Sequence, residues 1–144
     1  MKIFYWSPFI SKVATTFSVI RSAESIVKYS EKNNNVNLAI IDAVGEWDDY
    51  KKLIDPKIEI INLNKKKILK YLPKGGFFKS RLSYVLIFVL SFFKLSNLIK
   101  KEKPDYLIAH LLTSLPIFLT LITKSKTKTI LRVSGLPKLN FARH

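Results

Sequence analysis

The chain has 144 residues, 48% of them apolar, with 4 Gly, 6 Pro and no cysteine, which fits one packed domain and excludes a disordered chain, a disulfide framework and a thiolate metal site. Two histidines are too few for an all-protein zinc centre. The formal charge of +15 is uneven: residues 1–60 carry 8 basic and 8 acidic side chains, residues 61–144 carry 17 and 2, so the basic character is regional.

Lys2–Trp6 reads as a first strand, followed by a loop over residues 7–14 and a helix over 15–30 whose Ala23, Ile26, Val27 and Ser30 share a face. Asn33, Asn34 and Asn35 end that helix with turn residues, and residues 36–41 form the second strand. A short surface helix begins in Glu46-Trp47-Asp48-Asp49-Tyr50 and stops at Asp55-Pro56, because the residue before a proline is driven out of the helical region. Residues 58–63 form the third strand. A basic connector over 64–79 bends at Gly75-Gly76, and the longest helix runs over 80–101, apolar nearly all round in its first half.

The most informative stretch is PDYLIAHLLTSLP, residues 104–116. Its uncharged run at 106–109 reads as a strand buried on both faces, within a fourth strand over 105–110 that ends on His110. Thr113 or Ser114 caps a helix over 115–124, and Pro116 suits its first turn. A fifth strand over 129–133 leads into Ser134-Gly135-Leu136-Pro137. This alternation predicts an α/β fold, a parallel five-stranded sheet with helices on both faces and the long helix on one of them. The chain stops where a doubly wound domain closes with another helix, so residues 1–144 read as one truncated unit.

Two stretches invite a transmembrane reading. Residues 82–93 are uncharged but only 12 long, below the ~20 needed to span. Residues 106–123 carry no formal charge, yet His110, Thr113, Ser114 and Pro116 interrupt them and favour strand, turn and buried helix. Lys2 followed by a short strand-like run and Pro8 does not resemble a secretory leader.

Three features carry chemistry. His110 sits at the carboxyl end of a buried strand, the edge along which open α/β sheets bind ligands; the bland alternative is a histidine satisfied by backbone in a buried turn. The loop before the first helix occupies the place of a phosphate-binding loop, with Lys12 adding charge and the N–H groups near Thr15 facing an anion. It lacks G-x-G-x-x-G, and Ala14 stands where close approach of backbone favours glycine, so an ordinary connector remains the alternative. The acids Asp42, Glu46, Asp48, Asp49 and Asp55 crowd one loop and helix and read as a solvated face, with Glu46-Trp47 the pair placed to reach a ligand.

The blocks KIFYWSPF, ATTFSVIRSAESIVKYS, NLAIIDAVGEWD, KPDYLIAHLLTSLP and TKTILRVSGLPKLN, in this order and spacing, resemble the N-terminal half of retaining family-4 glycosyltransferases of the GT-B fold, over essentially the whole chain. The resemblance implies a Rossmann-like, acceptor-side half of a hexosyltransferase-type enzyme, with the donor-binding C-terminal half absent and the isolated fragment inactive. It implies transfer of a sugar from a nucleotide-sugar to a glycan or lipid-linked acceptor in polysaccharide biosynthesis, without a metal or other cofactor. His110 then matches the strand-end histidine lining the cleft, the catalytic candidate. Lys12, Ala14 and Thr15 match the loop facing the donor diphosphate, where relatives usually carry glycine at the place of Ala14. Arg132, Ser134 and Gly135 match the cleft floor, and Glu46 completes the substrate-binding set. Arg143 falls where relatives carry a basic cleft residue.

Residues 61–103 combine lysines with an apolar aromatic stripe, Tyr84, Val85, Phe88, Val89, Phe92 and Phe93. The stripe reads as core or, with Lys65, Lys66, Lys67, Lys70, Lys74, Lys79 and Arg81, as a surface for an anionic bilayer at the inner face of the cytoplasmic membrane, and both can hold on opposite faces of the helix. Lysines that are merely solvated background are the plain alternative. A non-catalytic basic module binding an anionic membrane surface or nucleic acid competes with the enzyme reading. Nucleic acid is the weaker partner, because the aromatics do not alternate with basic residues on a polar sheet face. A small polytopic membrane protein is the third class.

Overall fold

A computed structural model describes residues 1–30, 36–110, 115–123 and 125–132. Its elements are β1 (Lys2–Trp6), α1 (Ala14–Ser30), β2 (Asn37–Asp42), a 3-10 turn at Asp48–Leu53, β3 (Glu59–Asn62), a second 3-10 turn at Ile68–Tyr71, α2 (Phe77–Glu102), β4 (Tyr106–His110), α3 (Leu115–Thr123) and β5 (Lys128–Arg132). The asparagine run at 33–35 and the caps expected at Thr113 or Ser114 lie outside the described residues.

All five strands pair in parallel in the order β3-β2-β1-β4-β5, so the fold is the Rossmann-like α/β sheet that the sequence implied. Period-two alternation splits the strands between two cores. Phe4, Trp6, Ala39, Ile41, Leu107 and Ala109 face α2 and α3, where Ile87, Leu95, Ile99, Leu115 and Leu119 meet them. Ile3, Tyr5, Leu38, Ile40 and half-buried Ile108 face the other way, toward Val19, Ile20, Ala23 and Val27 of α1 and toward Trp47 and Tyr50.

Strand β4 is therefore not buried on both faces. Leu107 and Ala109 are covered, while Tyr106 and Ile108 are only half-buried, because α1 lies over β1 and β2 and no described element covers β4 and β5 on that face. Edge strand β5 exposes Ile130 and Leu131.

The long helix starts earlier than its apolar pattern suggested. Gly75 and Gly76 both have positive φ, 87° and 77°, and the helix begins directly after them at Phe77. At 26 residues α2 is long and apolar enough, by length and composition, to cross a membrane, while its uncharged run over residues 82–93 stays 12 long. It ends where Lys103 turns left-handed (φ 45°) and donates its N–H to the Ile99 carbonyl, with Pro104 next. The Lys2 ammonium, 2.9 Å from a Glu102 carboxylate oxygen, and the Asp105 carboxylate, 2.7 Å from the Lys2 N–H, tie this end of α2 to β1.

Candidate functional site

The strand order reverses between β1 and β4, and open parallel sheets form a ligand crevice beyond the carboxyl ends of the strands at such a reversal. Here that position lies beyond Trp6 and His110, which end neighbouring strands in register, Trp6 beside Ala109. The chain leaves β1 through a packed loop: Ser7, Phe9 and Ile10 are buried, and Phe9 sets its ring edge-on against Trp47 at 5.1 Å and Tyr50 at 5.7 Å. This anchoring fixes where α1 starts, and the Thr16 N–H to Val13 carbonyl bond (3.0 Å) closes its first turn. No acidic residue occupies that turn, so the free N–H groups and the helix dipole present uncompensated positive character.

Four buried polar atoms lack a partner among the described residues and lie on elements ending at this crevice: Trp6 Nε1, Thr15 Oγ1, Thr16 Oγ1 and His110 Nε2. An unpartnered buried polar atom costs roughly 1–3 kcal/mol. The Thr15 and Thr16 hydroxyls belong to the first turn of α1, as an anion-binding helix end requires. Lys12 and Ala14 are solvent-exposed beside them.

His110 is 3% exposed, its ring 5.7 Å from that of Tyr5, and it stands beside Arg132 in the β4–β5 register. Burial first, and the Arg132 charge second, depress its pKa to about 4, so at neutral pH the imidazole is uncharged and offers a hydrogen bond rather than a cation. Tyr5 is pushed up by burial, against the bond of its hydroxyl to Ser22 Oγ (2.9 Å) and the field of Arg132. Arg132 thus acts on both rings, and it is the fixed positive charge of this corner. From it a groove of about 1190 Å³ runs along α1, lined by Ser18, Arg21, Ser22, Ser25 and Tyr29 among others.

The acid cluster is not the solvated face that its composition suggested. Asp42 and Glu46 are 1% and 2% exposed, and Trp47 and Tyr50 are buried with them. Asp42 Oδ1 accepts from the Gly45 N–H (2.6 Å) and the Glu46 N–H (3.1 Å), while the Glu46 oxygens accept from Ala43 (3.0 Å) and Val44 (2.7 Å). Burial first and the neighbouring Asp42 second raise the Glu46 pKa well above the ordinary carboxylate value. Asp42 Oδ2, buried beside it, has no hydrogen-bond partner among the described residues. Glu46 holds its own turn and does not face a ligand. Only Asp48, paired with Lys51 (2.6 Å) and Lys67 (2.8 Å), Asp49 and Asp55 meet solvent.

The structure places His110 beside Arg132 at the ends of β4 and β5, sets Lys12, Ala14 and Thr15 around the start of α1, which follows β1 at the same edge of the sheet, and buries Glu46 in its own turn. Ser134, Gly135 and Arg143 lie outside the described residues. Sequence reading missed Tyr5, Ser22 and Thr16; the alternation of β1 already placed Tyr5 on the α1 side, where β4 places His110. Among the described residues no group of three or more His, Cys, Asp or Glu side chains is arranged to hold a metal ion. Comparison with protein-family models, with curated proteins and with solved structures gave no match.

Proposed function

We propose that this chain is the acceptor-side, Rossmann-like part of a retaining glycosyltransferase that moves a sugar from a nucleotide-sugar to a glycan or lipid-linked acceptor. The observation that carries the reading is the neutral, buried His110 with an unpartnered Nε2 at the strand-order reversal, on the sheet edge from which α1 also starts. The ordered sequence blocks resembling family-4 enzymes support it from a separate direction.

In this reading the departing diphosphate develops negative charge as the sugar carbon turns oxocarbenium-like. Amide dipoles at the α1 N-terminus, the Thr15 and Thr16 hydroxyls and the positive charges of Lys12 and Arg132 stabilise that charge. His110 donates a hydrogen bond to a sugar or acceptor hydroxyl without adding charge, because a cation there would oppose the oxocarbenium carbon. The half that grips the nucleotide is a separate unit in the resembling enzymes, and this part supplies the acceptor wall and one phosphate-facing helix end. No divalent cation is required, since the leaving charge meets fixed dipoles and basic side chains.

The test is binding and turnover measured together. The chain is expected to bind glycan or lipid-diphosphate-linked acceptors, to lose that binding at least tenfold with His110→Ala, and to release no sugar from a nucleotide-sugar. Hydrolysis or transfer by the chain alone, or acceptor binding indifferent to His110, contradicts the reading.

A further inference from the structure

Helix α2 is turned inside out relative to an ordinary amphipathic helix. Its sheet-facing stripe reads Ser83, Ile87, Ser91, Leu95 and Ile99 at intervals of four, and Ser96 is buried beside it. The large apolar side chains are on the outside: Phe78 is 84% exposed, Val89 60% and Phe93 75%, with Leu82, Val85 and Leu86 between them on the same face. Helix α3 extends this surface. Phe118 lies 6.4 Å from the rings of both Phe88 and Phe92, and Leu121 and Ile122 stand exposed beyond it. A contiguous apolar patch of this kind marks an interaction site.

The charge around the patch selects its partner. Lys79 and Arg81 flank the stripe by helical spacing, and Lys100, seven residues beyond Phe93, continues it at the far end. The connector before α2 adds the exposed Lys65, Lys66, Lys70 and Lys74, none of them in an ion pair among the described residues. Residues 61–144 hold 17 basic and 2 acidic side chains. Two copies packed face to face would bring like-charged rims together, whereas an anionic lipid surface complements both the rim and the apolar centre.

We infer that the outer face of α2 and α3 docks this domain in the plane of an anionic bilayer, apolar side chains below the headgroups and lysines among them. Although α2 is long enough to span, its inner stripe gives Ile87, Leu95 and Ile99 to the core. It also forms the crossover between β3 and β4. Leaving the sheet to cross a membrane would strip one whole face of the fold, so the helix lies flat. This inference goes beyond sugar transfer and stands without it.

The test is cosedimentation of the chain with phosphatidylcholine vesicles, with and without phosphatidylglycerol, at rising salt. Binding is expected to require the anionic lipid and to fall steeply with salt, since exposed charges are screened beyond ~8 Å at physiological ionic strength. Val89→Asp and Phe93→Asp each weaken it about tenfold or more, because a buried apolar side chain is exchanged for a charge. Lys65→Gln, Lys66→Gln, Lys70→Gln and Lys74→Gln together weaken it by about fivefold for each lysine that reaches the surface. Circular dichroism of these exposed-site variants is expected to match the parent. A Val89→Trp reporter is expected to be quenched by lipids brominated near the headgroup more than by those brominated at the chain end. Salt-insensitive binding, quenching strongest at the bilayer centre, or a dimer abolished by Val89→Asp without any vesicle binding overturns the inference.

Discussion

Replacing Glu46 by alanine removes the acceptor of two buried N–H groups, those of Ala43 and Val44, in a turn from which water is excluded. Each orphaned donor costs roughly 1–3 kcal/mol, and the loss is partly offset because the buried carboxyl no longer has to be desolvated beside Asp42. The expected net loss is about 2–4 kcal/mol, read as a lower urea midpoint at unchanged m-value. The pH dependence carries a second signature. Because the folded-state pKa of Glu46 is raised, the folded chain keeps a proton that the unfolded chain releases above the ordinary carboxylate range. The stabilisation is complete at acid pH and is lost as pH rises through the raised value. His110 has the opposite sign, since its depressed pKa of about 4 gives stability present above about 6.5 and lost as pH falls through about 4. The ion-paired Asp48 and Glu102, with lowered pKa values, add to the rising slope of His110, so the parent profile sets these against the falling slope of Glu46, which Glu46→Ala removes. A loss below ~1 kcal/mol, or a pH profile parallel to the parent's, would refute a buried Glu46 that keeps its proton while it holds the turn.

Three further outcomes are expected. His110→Gln removes the histidine's share of the acid-side slope of stability, the paired Asp48 and Glu102 carboxylates keeping theirs, and the parent imidazole titrates by NMR with a midpoint of about 4; a midpoint near the ordinary histidine value contradicts its burial beside Arg132. Leu95→Ala costs about 2–5 kcal/mol because it opens a cavity under α2, while Val89→Ala on the outer face stays within ~0.5 kcal/mol; equal costs would mean that the outer face is covered in solution. Gly45→Ala, at φ 96° with Lys67 Cβ 3.2 Å from the added carbon, destabilises more than Gly75→Ala, at φ 87° in open space. The latter meets only backbone strain of ~1–3 kcal/mol, and the reverse order in urea midpoints would contradict the close approach of Lys67.

The sheet was legible because each strand is a short apolar run bounded by turn residues, and the crossovers between them are long enough to force parallel pairing. Position of His110 at a strand end followed from the same pattern. Three things were not legible. The buried stripe of α2 is rich in serine, small enough to pack on the sheet, so hydropathy gave no contrast between its faces and left open which members of the aromatic stripe are core; Tyr84, Phe88 and Phe92 pack against it while Val85, Val89 and Phe93 are exposed. Asp42 and Glu46 looked solvated because composition counts charges and not the N–H groups of a tight turn; the signal was their spacing around Gly45, whose φ of 96° lets the turn close on both carboxyls. The openness of the sheet beside α1 depends on what else packs on β4 and β5, and no local pattern encodes that.

The central claim, a phosphate-facing crevice at the strand-order reversal, is tested most directly by titrating the isotope-labelled chain with inorganic pyrophosphate and following its NMR resonances. Joint, saturable shifts of the Thr15 and Thr16 amides and of the His110 imidazole, weakened by Arg132→Gln, are expected. Shifts confined to the lysines of residues 65–74, or none at the start of α1, would contradict it.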